Sequence, residues 1–238
     1  MVKRIFISTI IALFADFVAN AQSDSIENWV DVETIDGLKI IKPNFSSVDM
    51  AFGNDSPKND KSVIACFGAA FTGEYLEEFQ HSNIASDHAG GGKKYKGYPC
   101  KRNTGAFIYD GKTWQFLYKN KKYSSLLASA ANKGGCGFAQ EMMIYNGAKV
   151  KTTRPKDNQN IFRALCERNG ELVVIESLAS VKFGDFINSL LSKGVTHALY
   201  LDMGTWRYGW YRPDNESFIE LHTQMHNYHS NWLIFKKK

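Results

Sequence analysis

The sequence lacks a C-x-x-C pair, a G-K-S/T run after a strand, a G-x-S-x-G elbow and any internal repeat. These absences argue against a zinc knuckle, a P-loop, an α/β-hydrolase nucleophile and a solenoid. Charge of one sign is also short. Lys and Arg number 29 against 24 Asp and Glu, a net +5, and three of those cations are the terminal Lys236–Lys238. Lys119, Lys121 and Lys122 share one turn. No dense basic stripe or reading motif accompanies them, so nucleic acid is not an expected partner. Cysteine is limited to Cys66, Cys100, Cys136 and Cys166. What remains is ordinary: 44% hydrophobic, 22% charged and 13% aromatic residues over 238 positions, enough to bury a core.

The amino terminus carries an export pattern. Lys3 and Arg4 precede the apolar run Ile5–Phe14, and Ala19-Asn20-Ala21 has the small-x-small form of a cleavage site. The apolar run is shorter than the roughly 20 residues of a membrane span, and Asp16 interrupts its end. The expectation is a signal peptide over 1–21, one domain over 22–238, and an exported chain, periplasmic or secreted. No later stretch is apolar enough to cross a bilayer. Export permits disulfides. Cys66 and Cys166 lie in apolar strand-like runs and read as buried thiols; Cys100 and Cys136, in loop-like sequence, are the better candidates for a bridge.

Turn dipeptides divide the chain. Asp36-Gly37, Asp110-Gly111, Asn146-Gly147 and Asn169-Gly170 each sit between β-rich runs, the signature of a two-residue hairpin. They predict that Ala106–Tyr109 pairs with Thr113–Leu117, Met142–Tyr145 with the run after Gly147, and Phe162–Glu167 with Glu171–Glu176. Helices are predicted over Ser124–Asn132 and Phe183–Ser192 from their apolar spacing and following glycines, with a short third stretch over Tyr75–Gln80. A strand is predicted over Thr196–Leu201, placing Asp202 at its carboxyl end. The predicted class is α+β: a single domain with a mixed, largely antiparallel sheet, hairpins and flanking helices.

From Phe162 the sequence reads FRALCERNGELVVIESLASVKFGDFINSLLSKGVTHALYLDMGTW. An Arg-bearing strand, an Asx-Gly hairpin, an apolar helix, the run ALYLD and a glycine turn follow in order. That order resembles the phosphodiester glycosidase family, as a divergent member, over roughly Trp29 to Phe235. ACFGAAF (Ala65–Phe71) is similar to the family's Asn-Gly-Gly-Phe-Phe region, and GFAQEMMIYNGAKV (Gly137–Val150) to the strand and hairpin before the Arg. Phe67 stands where the family has Asn, Ala69 replaces a Gly, and Met203 replaces the first Gly of Leu-Asp-Gly-Gly. The resemblance implies the family's fold and a hydrolase acting on a carbohydrate or sugar-phosphate. No cofactor is expected, and because no complete structural zinc set is present the fold is expected to be metal-independent, with any metal required for activity left open.

On that resemblance the catalytic candidates are Asp202, Arg163 and Glu176. A guanidinium fork can hold a phosphodiester through two parallel hydrogen bonds; equally, a strand Arg can face solvent or serve a structural ion pair. Asp202 could act as acid, base or nucleophile at an anomeric carbon, or satisfy donors in the turn it starts. A second carboxyl group could come from Glu176, or from Glu74, Glu77, Glu78 or Asp87. Gln140 could orient a sugar hydroxyl or be an exposed strand residue. Gly204 and Thr205 could meet phosphate in a backbone nest. Trp206, with Tyr208, Trp210 and Tyr211, could stack sugars or form a half-buried strand. His222, His226 and His229 have helical spacing; a solvated face is preferred to a zinc site. The expected function is hydrolysis of a sugar-1-phosphodiester in an envelope or extracellular glycan; the alternative is a non-catalytic glycan-binding protein on the same fold.

Overall fold

The computed structural model describes residues 27–74, 78–202, 207–222 and 230–237. Strands β1 (Val30–Ile35), β2 (Leu38–Pro43), β3 (Ser47–Phe52), β4 (Val63–Gly68), β5 (His88–Gly90), β6 (Lys93–Tyr95), β7 (Gly105–Tyr109) and β8 (Trp114–Tyr118) precede helix α1 (Tyr123–Asn132). Next come β9 (Cys136–Gln140), β10 (Met142–Tyr145), β11 (Ala148–Lys149), β12 (Gln159–Asn160), β13 (Arg163–Arg168), β14 (Glu171–Ser177), β15 (Val181–Lys182) and helix α2 (Phe183–Ser192). The chain continues through β16 (Val195–Tyr200), β17 (Gly209–Tyr211), β18 (Ile219–Leu221) and β19 (Asn231–Lys236).

These strands form a seven-stranded sheet in the order β1-β2-β14-β13-β16-β10-β11, five-stranded sheets β18-β17-β4-β19-β3 and β6-β5-β9-β7-β8, and the small ladder β12-β15. The expected α+β class is overturned. Strand accounts for 46% of the described residues and helix for 12%, so the described fold is mostly β. The physical reason is the two five-stranded sheets, built from short strands such as β4 whose residues are buried throughout and so show no alternation.

The expected pairings of Phe162–Glu167, Ala106–Tyr109 and Met142–Tyr145 are all present. Asp36-Gly37, Asn146-Gly147 and Asn169-Gly170 have positive φ at both residues, as a type I′ turn requires. Asp110-Gly111 differs. Only Gly111 has positive φ, and the Asp110 carboxylate accepts the Lys112 and Thr113 amides, closing a longer loop.

Period-two alternation on β13 and β14 explains how the large sheet is covered. Leu165, Leu172 and Val174 join Leu199 and Leu201 in the central core, while Ala164, Cys166, Val173 and Ile175 face α2. Helix α2 presents Phe183, Phe186, Ile187 and Leu190 at helical spacing, each worth roughly 1.5–3 kcal/mol when buried. The Tyr75–Gln80 expectation lies partly outside the described residues; residues 78–80 are not helical, and a 3-10 turn follows at His81–Asn83. Residues 1–21 also lie outside them. No described helix is long and apolar enough to cross a membrane.

All four cysteines are free thiols, so the favoured Cys100–Cys136 bridge is not formed. Cys136 opens β9 in the core, where its Sγ lies 3.5 Å from the Val48 carbonyl; burial pushes its pKa well up. On β5, His88 is fully buried. Its Nδ1 donates to the Ser86 carbonyl at 3.1 Å, leaving Nε2 to accept from His81 Nδ1 at 3.0 Å. The His81 ring stacks on Tyr95 with centroids 3.4 Å apart. Burial pushes the His88 pKa down to about 4.

Candidate functional site

Arg163 and Glu176 are direct cross-strand partners on β13 and β14, so their side chains leave the sheet on one face. That face points into the central core, and both residues are buried, Arg163 completely. Arg163 Nε donates to Glu176 Oε2 at 2.7 Å, and Nη2 pairs with the same carboxylate. Nη1 donates to the Tyr208 carbonyl and Nη2 to the Arg207 carbonyl, both at 2.9 Å. The guanidinium thus ties the seven-stranded sheet to the segment leading into β17. Gly209 follows because a Cβ there would sit 2.9 Å from Arg163 Nη1. The Phe67 ring lies 5.4 Å from the guanidinium carbon.

Glu176 extends this chain of contacts outward. Its Oε1 accepts from His222 Nε2 at 2.9 Å, and the His222 side chain is about a third exposed. Burial pushes the Glu176 carboxyl up, but the Arg163 charge and His222 outweigh it, and the net shift is downward. Glu176 is therefore an ionised, buried carboxylate at neutral pH. Beside it, Arg207 has φ +56 and donates from Nη2 to Asn160 Oδ1 at 2.6 Å, while its buried Nε has no hydrogen-bond partner.

Asp202 and Gln140 meet at another point. Register pairs Ala164 with Tyr200, and the Leu201 amide donates to the Arg163 carbonyl, so Asp202 follows the backbone neighbour of Arg163. The Asp202 amide donates to the Ala69 carbonyl at 3.0 Å, and Gln140 Nε2 donates to the same oxygen at 3.4 Å. Gln140 is buried, and its Oε1 accepts the Glu141 amide at 2.9 Å. Burial, then Cys100 and Asp202, push the pKa of the Tyr98 hydroxyl up. The stretch Phe67–Ala69 links the two groups, since Phe67 touches Arg163 and Ala69 holds Asp202 and Gln140.

Among the alternative carboxylates, Asp87 is engaged elsewhere, in an ion pair with Lys94 and a hydrogen bond from Ser124. Glu77 lies outside the described residues, as do Met203, Gly204, Thr205, Trp206, His226 and His229. Tyr208 and Trp210 are fully buried in a core cluster with Trp232, and Tyr211 is buried in the central core, so these rings form no exposed sugar-stacking wall. Arg207 and the His222–Glu176 contact were not found by sequence reasoning. Among the described residues no group of three potential ligands could hold a metal ion.

No family model matches the chain, and no curated protein matches it. Solved structures do. The catalytic domain of zebrafish N-acetylglucosamine-1-phosphodiester alpha-N-acetylglucosaminidase, auto-inhibited by its pro-peptide, is similar with a TM-score of 0.61 at 14% identity, over 92% of this chain and 85% of that one. A hypothetical protein from Synechocystis has a TM-score of 0.50 at 13% identity, over 87% of this chain and 61% of that one. At such identities the likeness is one of fold, and it establishes a distant fold relationship to a phosphodiester glycosidase domain.

Proposed function

We propose that the protein is an exported hydrolase that cleaves the bond between an anomeric carbon and a phosphodiester in an envelope or extracellular glycan. The observation that carries this reading is the buried Arg163–Glu176–His222 chain, with Arg207 beside it, in a fold like that of a phosphodiester glycosidase domain. The departing group is a phosphate monoester, whose second pKa near 6 lets it leave without a strong acid. What it needs is positive charge, fixed in place before the bond breaks. Arg163 is committed to Glu176 and two carbonyls, so its charge is spent on that pair and it positions the Arg207 backbone, whereas the unspent Nε–H of Arg207 is the donor we assign to a phosphate oxygen.

Asp202 works on the reacting centre, with water adding to the anomeric carbon as the carbon–oxygen bond to phosphorus breaks. The proton released by that water passes to the Asp202 carboxylate and then to solvent. Gly204, Thr205 and Trp206 remain the residues that the family resemblance assigns to the sugar, whereas buried Gln140, bonded to the Ala69 carbonyl and the Glu141 amide, braces the backbone beneath Asp202. The test is release of phosphate monoester from a panel of sugar-1-phosphodiesters, with Asp202→Asn as the control that folds without turnover. A correctly folded wild-type protein that hydrolyses none of the panel overturns the reading.

A second reading, a non-catalytic glycan-binding protein, is favoured by Phe67. This fully buried ring packs beside Arg163 at the position where the resembled family carries Asn. Calorimetric binding of a sugar phosphodiester that is recovered intact would favour it.

A further inference from the structure

A cleft of about 870 Å³ lies between β11, the 150–157 loop and the start of α2. Five cations line it, Lys149, Lys151, Arg154, Lys156 and Lys182, against the two carboxylates of Asp157 and Asp185; with Arg154 paired to buried Glu141 behind the wall, an excess of two positive charges remains, carried by the lysines. The four lysines are exposed. Arg154 is more enclosed: its guanidinium sits 4.4 Å from the Tyr200 ring centroid, and its buried Nε, 3.7 Å from Glu141 Oε2, has no hydrogen-bond partner. The cleft wall is joined to the candidate site by the β12-β15 ladder. Asn160, which holds Arg207, pairs with Val181, and Gln159 pairs with Lys182 of the wall. One residue of extended chain spans about 3.3 Å, so the cleft wall begins a short step from Arg207's partner.

We infer that this cleft is a subsite for the continuing chain of a phosphate-linked glycan, so that the ligand is a polymer and not a single sugar phosphodiester. The inference rests on the hydrolase reading above. Cations spread along a wall match a ligand whose charges repeat along its length, whereas a single phosphate would need them to converge. Asp157, Asp185 and Asn188 offer acceptors for sugar hydroxyls between those charges. The apolar lining is aliphatic, from Val150, Pro155 and Ile187, and it has no aromatic ring of the kind on which single-stranded nucleic acid stacks.

The test titrates the folded protein with phosphorylated dextran oligomers, neutral dextran and single-stranded DNA of equal length over a range of salt. The variant Lys151→Gln/Lys156→Gln/Lys182→Gln changes exposed side chains only. It should bind phosphorylated dextran at least about tenfold more weakly, with the salt slope reduced by about two to three. Its turnover of small sugar-1-phosphodiesters should match wild type. Unchanged affinity of the variant, DNA bound as tightly as phosphorylated dextran, or parallel loss of small-substrate turnover would each overturn the subsite. If wild type turns over no small substrate but loses polymer binding on lysine replacement, the hydrolase reading fails and the polyanion cleft stands.

Discussion

Arg163 concentrates the energetics of the candidate site in one side chain. Its partner Glu176 is almost wholly enclosed, so removing the guanidinium would leave a buried carboxylate with only His222 beside it. Arg163→Met should therefore cost about 3–5 kcal/mol, read from urea unfolding. Arg163→Lys keeps the charge, but one ammonium cannot reach Glu176 and both the Tyr208 and Arg207 carbonyls, and it should fall between wild type and Met. Acid offers an independent check. The folded Glu176 value lies below the ordinary glutamate value of about 4.3, so its contribution is complete above that pH and is lost as pH falls through the lower folded value. Below about pH 4.3 the wild-type melting temperature should drop more steeply than that of Glu176→Gln; parallel curves would remove Glu176 as the titrating group.

Hairpins were the most legible elements. Arg163 lies six residues before Asn169 and Glu176 six after Gly170, so a two-residue turn at that dipeptide sets them opposite each other. The Arg163–Glu176 contact could thus have been counted from the sequence. Arg207, the Tyr208 carbonyl and His222 could not, because they arrive from loops whose approach no periodicity encodes. The β class was obscured for a related reason: β4 lies between β17 and β19 and shows an unbroken apolar run in place of alternation. The β5-β6 hairpin makes its own prediction. His88 is held near 4 in the fold and returns to about 6.5 when unfolded, so stability should be full above pH 6.5 and decline toward pH 4. The span corresponds to about 3 kcal/mol, and His88→Gln should flatten the melting temperature over that window.

At the scale of the whole molecule, β19 occupies a singular position. It is hydrogen-bonded on one side to β3 and on the other to β4, joining Ser47–Phe52 and Val63–Gly68 to a segment that begins at Asn231. Asn231 adds a side-chain clasp, accepting the Ala70 amide at 2.7 Å and donating to the Ala70 carbonyl at 3.0 Å. A chain shortened to residue 229 should fail to give a cooperative thermal transition and should aggregate, because the facing edges of β3 and β4 would both be left open. The same arrangement sets a clock. Contacts spanning some 180 residues must wait for loop closure, which makes folding slow relative to a chain of local contacts. During synthesis the early strands therefore stay without their central partner until some 180 further residues have been added. The polypeptide spends that interval exposed to chaperones and proteases, and its yield in a cell is governed by that delay as much as by the stability of the finished fold.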